Sequence, residues 1–313
     1  SRSNLANSWM VYRGNVVVGA VQSTSIVSTS FKLNPFTLEA GATYTFRFTS
    51  QYLTSGRSSL VPVQVYVQPG NLVAVVRQGA SFGLQLGRNI TLDASQSYDQ
   101  DVSPLLRSTA GLSFYWSCTR VLPSANSTCS FAMDPVGRLS PRLTITAVDA
   151  TADSTSLFTV AVSDSSRSTT ASTSVQVLPV TNPVTSVATD FVGKFNTFDK
   201  LKLSATIETA TRATVTWSVN DTSVALEAGL TTPLSRVLEV PAGSIGTSKF
   251  MFNFALQANT LPANAYLTFT LTTASAGGSA VTSSVLIVTN AAPTPGVFTV
   301  SPIQGIALRD TFQ

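Results

Sequence analysis

The stretch "LDASQSYDQD", Leu92 to Asp101, carries an oxygen-bearing side chain at every second position: Asp93, Ser95, Ser97, Asp99 and Asp101. In an extended strand all five would lie on one face. Three carboxylates that close repel unless they are solvated or bridged by a cation, so Asp93, Asp99 and Asp101 are candidate calcium ligands. The set is partial, because Ca²⁺ takes about six to eight oxygens. It is not an EF-hand: Tyr98 and Pro104 stand sixth and twelfth from Asp93, where Gly and Glu are needed. The ordinary reading is a strand end with Asx-type turns, in which each carboxylate accepts a nearby backbone N–H. Calcium is the alternative, and no other cofactor is expected.

The remaining reactive residues argue against catalysis. There is no histidine, which removes the commonest general acid/base and the commonest neutral metal ligand. Serines abound, but neither G-x-S-x-G nor G-x-x-x-x-G-K-[ST] occurs, and Lys32, Lys194, Lys200, Lys202 and Lys249 are the only lysines available for a Ser–Lys pair. We assign no catalytic and no cofactor-binding residue and expect no enzyme activity. Cys118 and Cys129 are the only cysteines. Two thiolates do not make a zinc site, and the C-x-x-C redox spacing is absent. In an oxidising compartment they would pair, and so short a loop would add about 2–3 kcal/mol. Three N-x-[ST] sequons begin at Asn89, Asn126 and Asn220. Together with the cysteine pair they favour a secreted or cell-surface chain.

Composition narrows the partners. Charged residues make up 11% of the chain, about half the usual share, and Ser and Thr supply the polarity instead. The net charge is +4, but Arg57, Arg77, Arg88 and Arg107 stand singly. Nucleic-acid binding needs a dense basic patch that releases counterions, so none is expected. No apolar run approaches the ~18–20 residues of a membrane helix. The chain starts at Ser1 without a signal peptide, so we expect an internal segment, or a mature piece, of a larger surface protein.

Strands must position these residues. Apolar and polar residues alternate with period two, as in antiparallel sheets with one buried face. "TYTFRFTS" puts Tyr44, Phe46 and Phe48 on one face; "VPVQVYV", "SLFTVAVSD" and "AYLTFTLTT" repeat the pattern. Trp9, Trp116 and Trp217 are spaced 107 and 101 residues apart, each inside an apolar strand, and each unit closes with a Val-rich strand. One core tryptophan per roughly 100 residues points to an all-β chain of tandem immunoglobulin/fibronectin-III-like β-sandwiches. "LEAGATYTFRF" adds the L-x-x-G-x-x-Y spacing of a tyrosine corner, in which Tyr44 packs inside while its hydroxyl bonds backbone a few residues upstream. Trp9, Tyr44, Trp116 and Trp217 are therefore expected in cores.

The units are placed at residues 1–68 (incomplete at its N-terminus), 69–179 and 180–289, with 290–313 a Pro-rich linker and the start of a further unit. From Leu92 to Trp116 is 24 residues, whereas the matching interval Leu203 to Trp217 is 14. Unit 2 thus carries an enlarged acidic loop holding Asp99 and Asp101. The joints "VQPGN" and "LPVTNP" are short and contain proline, which favours a semi-rigid rod.

Several motifs together resemble the REJ (receptor for egg jelly) module of the polycystin-1 and sperm egg-jelly receptor family. They are L-D-A-S-x-S-x-D-x-D at Leu92–Asp101 with W-x-C at Trp116 and Cys118, the "FTLEAGATYTFRF" strand pair, and the closing "NAAPTPGVFTVSPIQGIALRDTF" with Asn290, Pro293, Gly296, Val300, Pro302, Gly305, Ala307 and Phe312. Two departures stand out. Gln100 replaces the usual Pro of D-P-D, which should loosen that turn, and Val297–Phe298 replaces a common Cys, so one family disulfide should be missing. The resemblance implies fibronectin-III-like units in the extracellular portion of a membrane protein, facing out from a plasma or ciliary membrane. It implies partners such as a polycystin-2-type channel or a surface filament or matrix. The expectation is therefore a non-catalytic spacer and interaction module. A calcium-dependent glycan-binding module, with Asp93–Asp101 as its loop, is the alternative from another class, and a bacterial adhesin repeat is a third.

Overall fold

The computed structural model describes residues 4–292 apart from 108, 110, 127–128, 149–153, 245 and 277–278. The "NAAPTPG" linker beyond Ala292 and the further unit expected at 297–313 lie outside the described residues.

Unit 1 is a single antiparallel sheet. Its strands are β1 (Leu5–Arg13), β2 (Val16–Val17), β3 (Thr43–Tyr52) and β4 (Ser58–Tyr66), in the order β2-β1-β3-β4. The coil between β2 and β3 folds over one face, where Phe31, Leu33 and Leu38 meet Trp9, Val11, Tyr44 and Phe46. The Tyr44 hydroxyl accepts the Glu39 N–H, five residues upstream, at 3.1 Å. Trp9 is only half-buried: its ring packs on Phe31 and Phe48 and its indole N–H donates to the Ser28 carbonyl at 3.0 Å. The alternation of "VPVQVYV" predicts a buried face for β4, yet all of β4 is exposed. Val61, Val63 and Val65 pair with Phe48, Phe46 and Tyr44 and so point the same way, but the coil does not extend over them. Periodicity marks which side chains share a face; it does not supply a second layer to cover that face.

Unit 2 contains β5 (Leu72–Val73), β6 (Ser81–Gln85), β7 (Asn89–Asp93), β8 (Tyr98–Asp99), β9 (Ser113–Leu122), β10 (Phe131–Met133), β11 (Arg142–Ala147), β12 (Thr155–Ser163) and β13 (Ser168–Leu178). Unit 3 contains β14 (Val184–Thr189), β15 (Leu201–Thr209), β16 (Ala213–Val219), β17 (Ser235–Leu238), β18 (Ser248–Met251), β19 (Phe254–Leu256), β20 (Tyr266–Ser275) and β21 (Val281–Val288). Each unit has two layers. In unit 2 the small sheet β10-β11-β7 faces β6-β13-β12-β9, and in unit 3 β14-β15-β18, with β19 also on β15, faces β17-β16-β20-β21. β-Branched and aromatic residues at alternate positions place Trp116, Phe158, Val160 and Leu143 in one core. Trp217, Phe254, Phe269 and Leu267 fill the other. Each such fully buried side chain contributes roughly 1.5–3 kcal/mol.

The two larger layers are one sheet. β6 pairs in parallel with β13 on one side and meets β21 at Ser81↔Ser284 on the other, giving the eight-stranded order β17-β16-β20-β21-β6-β13-β12-β9. The stretch "LPVTNP", expected to be a short joint between separate bodies, therefore runs beside a continuous sheet. It is also tied down, since Gln85 Nε2 donates to the carbonyls of Val180 and Asn182 at 3.0 and 2.8 Å and Asn182 Nδ2 donates to Ser279 Oγ at 3.0 Å.

Candidate functional site

The aspartates of "LDASQSYDQD" do not form one set. β7 ends at Asp93, a turn follows, and β8 takes Tyr98 and Asp99 away to pair with β5. Asp93 caps its own turn, its Oδ1 accepting the Ser95 N–H at 2.9 Å. Arg142, its register partner on β11, lies 3.5 Å away, and Arg77 lies 4.0 Å away. Burial by itself would raise the Asp93 carboxyl. The Ser95 hydrogen bonds and the Arg142 and Arg77 charges outweigh it and hold the group below its ordinary value.

Asp99 and Asp101 turn instead to Arg167, which sits in the β12–β13 hairpin "SDSSRS". This guanidinium uses all five of its N–H groups. Nε and one Nη2 proton go to Asp164 Oδ2 at 2.9 and 2.7 Å. The other Nη2 proton goes to Asp99 Oδ2 at 2.6 Å, and Nη1 donates to Asp101 Oδ2 and to the Gly70 carbonyl, both at 2.8 Å. Asp99 also accepts the Asp101 N–H at 3.0 Å, a second Asx turn. Hydrogen bonds from the Ser166 and Arg167 N–H groups, then from the Arg167 side chain, hold the Asp164 carboxyl far below the usual carboxylate range. The Arg167 guanidinium is raised in turn, first by its bond to Asp99 and next by Asp164. A calcium set of Asp93, Asp99 and Asp101 is thus not what the fold assembles: a side-chain cation reaches in where the spacing suggests a metal ion. Among the described residues no group of three or more Asp, Glu, His or Cys side chains is arranged to hold a metal.

The same acidic loop grips the joint between units 1 and 2. Asp101 Oδ1 accepts the Gly70 N–H at 2.8 Å, Gln100 Oε1 accepts the Asn71 N–H at 3.0 Å, and the Gln100 N–H donates to the Asn71 carbonyl at 3.1 Å. The sequence predicts that Gln100 loosens its turn relative to proline. Gln100 also supplies the N–H and the amide oxygen that hold Asn71, neither of which proline has. Glycine suits position 70, where a Cβ would crowd both Asp101 Oδ1 and Gln100 Cβ at 3.0 Å.

The joint between units 2 and 3 is built from hydroxyls. Ser81 Oγ and Ser284 Oγ are 2.7 Å apart, Ser283 Oγ donates to the Ser81 carbonyl at 3.0 Å, and the Ala80 N–H donates to Ser284 O at 2.8 Å. Gly79, with φ +83°, permits that approach, since a Cβ there would come within 2.7 Å of Ser284 O. Arg88 adds an ion pair to Glu208 at 3.3 Å.

The other sequence candidates are placed as follows. Cys118 and Cys129 form a disulfide with Cα atoms 5.6 Å apart, at the edge of the unit 2 core. Asn89, Asn126 and Asn220 are exposed. Asn220 Oδ1 accepts the Thr268 N–H at 2.7 Å, which leaves Nδ2, the atom that would carry a glycan, free of that bond. Trp116 and Trp217 are buried; the Trp116 indole donates to Ser140 O at 3.0 Å, whereas the Trp217 indole N–H has no partner. Sequence reasoning does not single out Arg167, Gly70, the Ser81–Ser284 pair or the grip of Gln100 on Asn71. The only local signal is the D-S-S-R hairpin, an ion pair three residues apart in a chain poor in charge.

With this geometry in place, comparison with known proteins decides the family. The REJ domain model matches residues 1–313, the whole chain. The chain belongs to the REJ domain family. That family is one of non-catalytic extracellular modules, and no helix among the described residues is long and apolar enough to cross a membrane. Among solved structures, the I67–I69 fragment of the titin I-band is similar at 10% identity with a TM-score of 0.24, over 91% of this chain and 88% of that one. Domains 3–5 of the Drosophila OTK extracellular region match at 10% identity and 0.26, over 92% and 86%. A nucleoside hydrolase-related protein from Saccharophagus degradans matches at 16% and 0.28 over 36% of this chain, which spans only 26% of that protein's length. Scores this low carry no argument about function.

Proposed function

We propose that this REJ-family chain is a non-catalytic segment of a polycystin-1-like protein on the outer face of a plasma or ciliary membrane. It serves there as a stiff spacer that presents sheet faces to other extracellular proteins. The observation that carries the reading is the eight-stranded sheet shared by units 2 and 3. Bending between those units requires breaking sheet contacts rather than rotating a linker, so the pair holds a fixed geometry. The Cys118–Cys129 bridge and the exposed sequons at Asn89, Asn126 and Asn220 fit an oxidising, glycosylating route to the surface. The partner would be a polycystin-2-type channel or a surface filament or matrix component.

Two measurements test this. Pulling on single molecules should unfold units 2 and 3 in one event that releases both lengths; two independent events of ordinary sandwich size would remove the basis for a fused spacer. Cross-linking on intact cells, followed by purification through an antibody to this segment, should recover an extracellular or channel partner. Recovery of cytosolic proteins alone would defeat the surface assignment.

A further inference from the structure

The joint between units 1 and 2 is short and heavily hydrogen-bonded. The last backbone ladder of unit 1 ends at Val67, whose N–H donates to Ala42 O at 2.9 Å and whose carbonyl accepts from Gly41 at 2.7 Å. The next two residues, Gln68 and Pro69, are all that separates this ladder from Gly70. At Gly70 and Asn71 every backbone donor and acceptor is held by unit 2: the Gly70 N–H by Asp101, the Gly70 carbonyl by Arg167, the Asn71 N–H by the Gln100 side chain and the Asn71 carbonyl by the Gln100 N–H. Of the two intervening residues, proline has a fixed φ. Few backbone torsions are left through which unit 1 could swing.

We propose that Arg167, Asp99, Asp101 and Gln100 act together as a lock that holds unit 1 at one preset angle to unit 2. Asp164 is the positioning residue. It takes two of the five guanidinium protons, so Arg167 can reach Gly70 only in the orientation that also satisfies Asp99 and Asp101. The arrangement is a standing lock, not a switch for neutral or mildly acidic surroundings. Its charges are mostly shielded, with side-chain exposures between 18% and 26%, and hydrogen-bonded pairs of that kind are screened by salt far less than exposed ones. The lock would fix this joint whether or not the segment works as a spacer.

The test uses the whole 1–313 chain and two variants, Arg167→Ala and Gln100→Pro. Small-angle X-ray scattering reads the spread of distances between units, proteinase K reads access to residues 68–71, and hydrogen-exchange protection of the β12 amides (Thr155–Ser163) reports whether unit 2 remains folded. We expect the wild-type chain to give a narrow distance distribution and no cut at 68–71. Both variants should lose the discrete inter-unit peak and be nicked there, with β12 amide protection unchanged. Should Arg167→Ala unfold unit 2, Gln100→Pro alone decides the matter, since it leaves all five Arg167 hydrogen bonds in place and removes both bonds to Asn71. Wild-type scattering and an uncut joint in a folded variant would overturn the proposal.

Discussion

The two joints of this molecule solve the same problem with opposite chemistry. Between units 2 and 3 the contact is a shared sheet, sealed by serine hydroxyls and backbone groups. Between units 1 and 2 it is a charged side-chain cluster gripping two linker residues. The first should transmit cooperativity, because β6 belongs to both halves of one hydrogen-bonded layer and is buried from Phe82 to Gln85. The second constrains direction while leaving the two cores separate: the unit 1 cluster extends no further than Val67. A shared sheet couples stabilities; a side-chain lock couples orientations.

This contrast can be broken from either side. The largest effect is expected from Trp116→Ala, a cavity of the kind that costs about 3–5 kcal/mol. Because the sheet is shared, scanning calorimetry should show the unit 3 transition falling along with that of unit 2, while unit 1 is unmoved. A unit 3 transition that stayed in place would show that the sheet is continuous in geometry but not in energy. Next come the glycines of the seam. Gly83→Ala places a Cβ 2.3 Å from Leu178 Cδ1, and overpacking of this sort costs roughly 1–3 kcal/mol. It too should lower both units in a chemical denaturation series, whereas Gln100→Pro, which removes only the bonds to Asn71, should leave their midpoint nearly unchanged.

The indole pair gives a smaller contrast. Trp116→Phe strands the Ser140 carbonyl, and losing such a bond costs about 0.5–1.5 kcal/mol. Trp217→Phe removes an N–H that already lacks a partner, so urea midpoints should fall further for Trp116→Phe; the reverse order would contradict the hydrogen-bond assignment. The smallest effects concern solution conditions. Asp164 has its pKa depressed from 3.8 in the folded state, so its contribution is fully present above that value and is lost only as the pH falls below it. Protease resistance of residues 68–71 should accordingly be flat from neutral pH to about pH 5 and decline below about pH 4. The Ser81–Ser284 pair has no such dependence. Titration of millimolar Ca²⁺ into chelated protein should give no heat and no melting shift, because Arg167 already bonds Asp99 and Asp101.

How much of this is legible in the sequence follows from the range of each signal. Period-two alternation and the tryptophan spacing are carried by neighbouring residues, and they place Phe158, Val160, Leu267 and Phe269 correctly inside two cores. The same alternation misleads at Val61–Val65, because exposure there depends on a covering layer that β4 does not encode. The acidic run exposes its Asx turns, which close within two residues. It conceals its ion pairs, because Arg167 approaches Asp101 from 66 residues away. The shared sheet is hidden for a related reason. "SFGLQ" is a short continuous buried run with no alternation to mark a partner on each side, and its second partner lies in another unit.

That distance also orders events during synthesis. Ser81 leaves the ribosome 203 residues before Ser284, about 10–40 s earlier at the ~5–20 residues per second of translation. Once β13 has emerged at Leu178, and until Ser284 follows 284 − 178 = 106 residues later, unit 2 has all its own strands but leaves bare the side of β6 that β21 will cover. A nascent chain in this state presents unpaired backbone to any passing strand, so the vulnerable moment for this protein falls on its way out of the cell rather than at its destination.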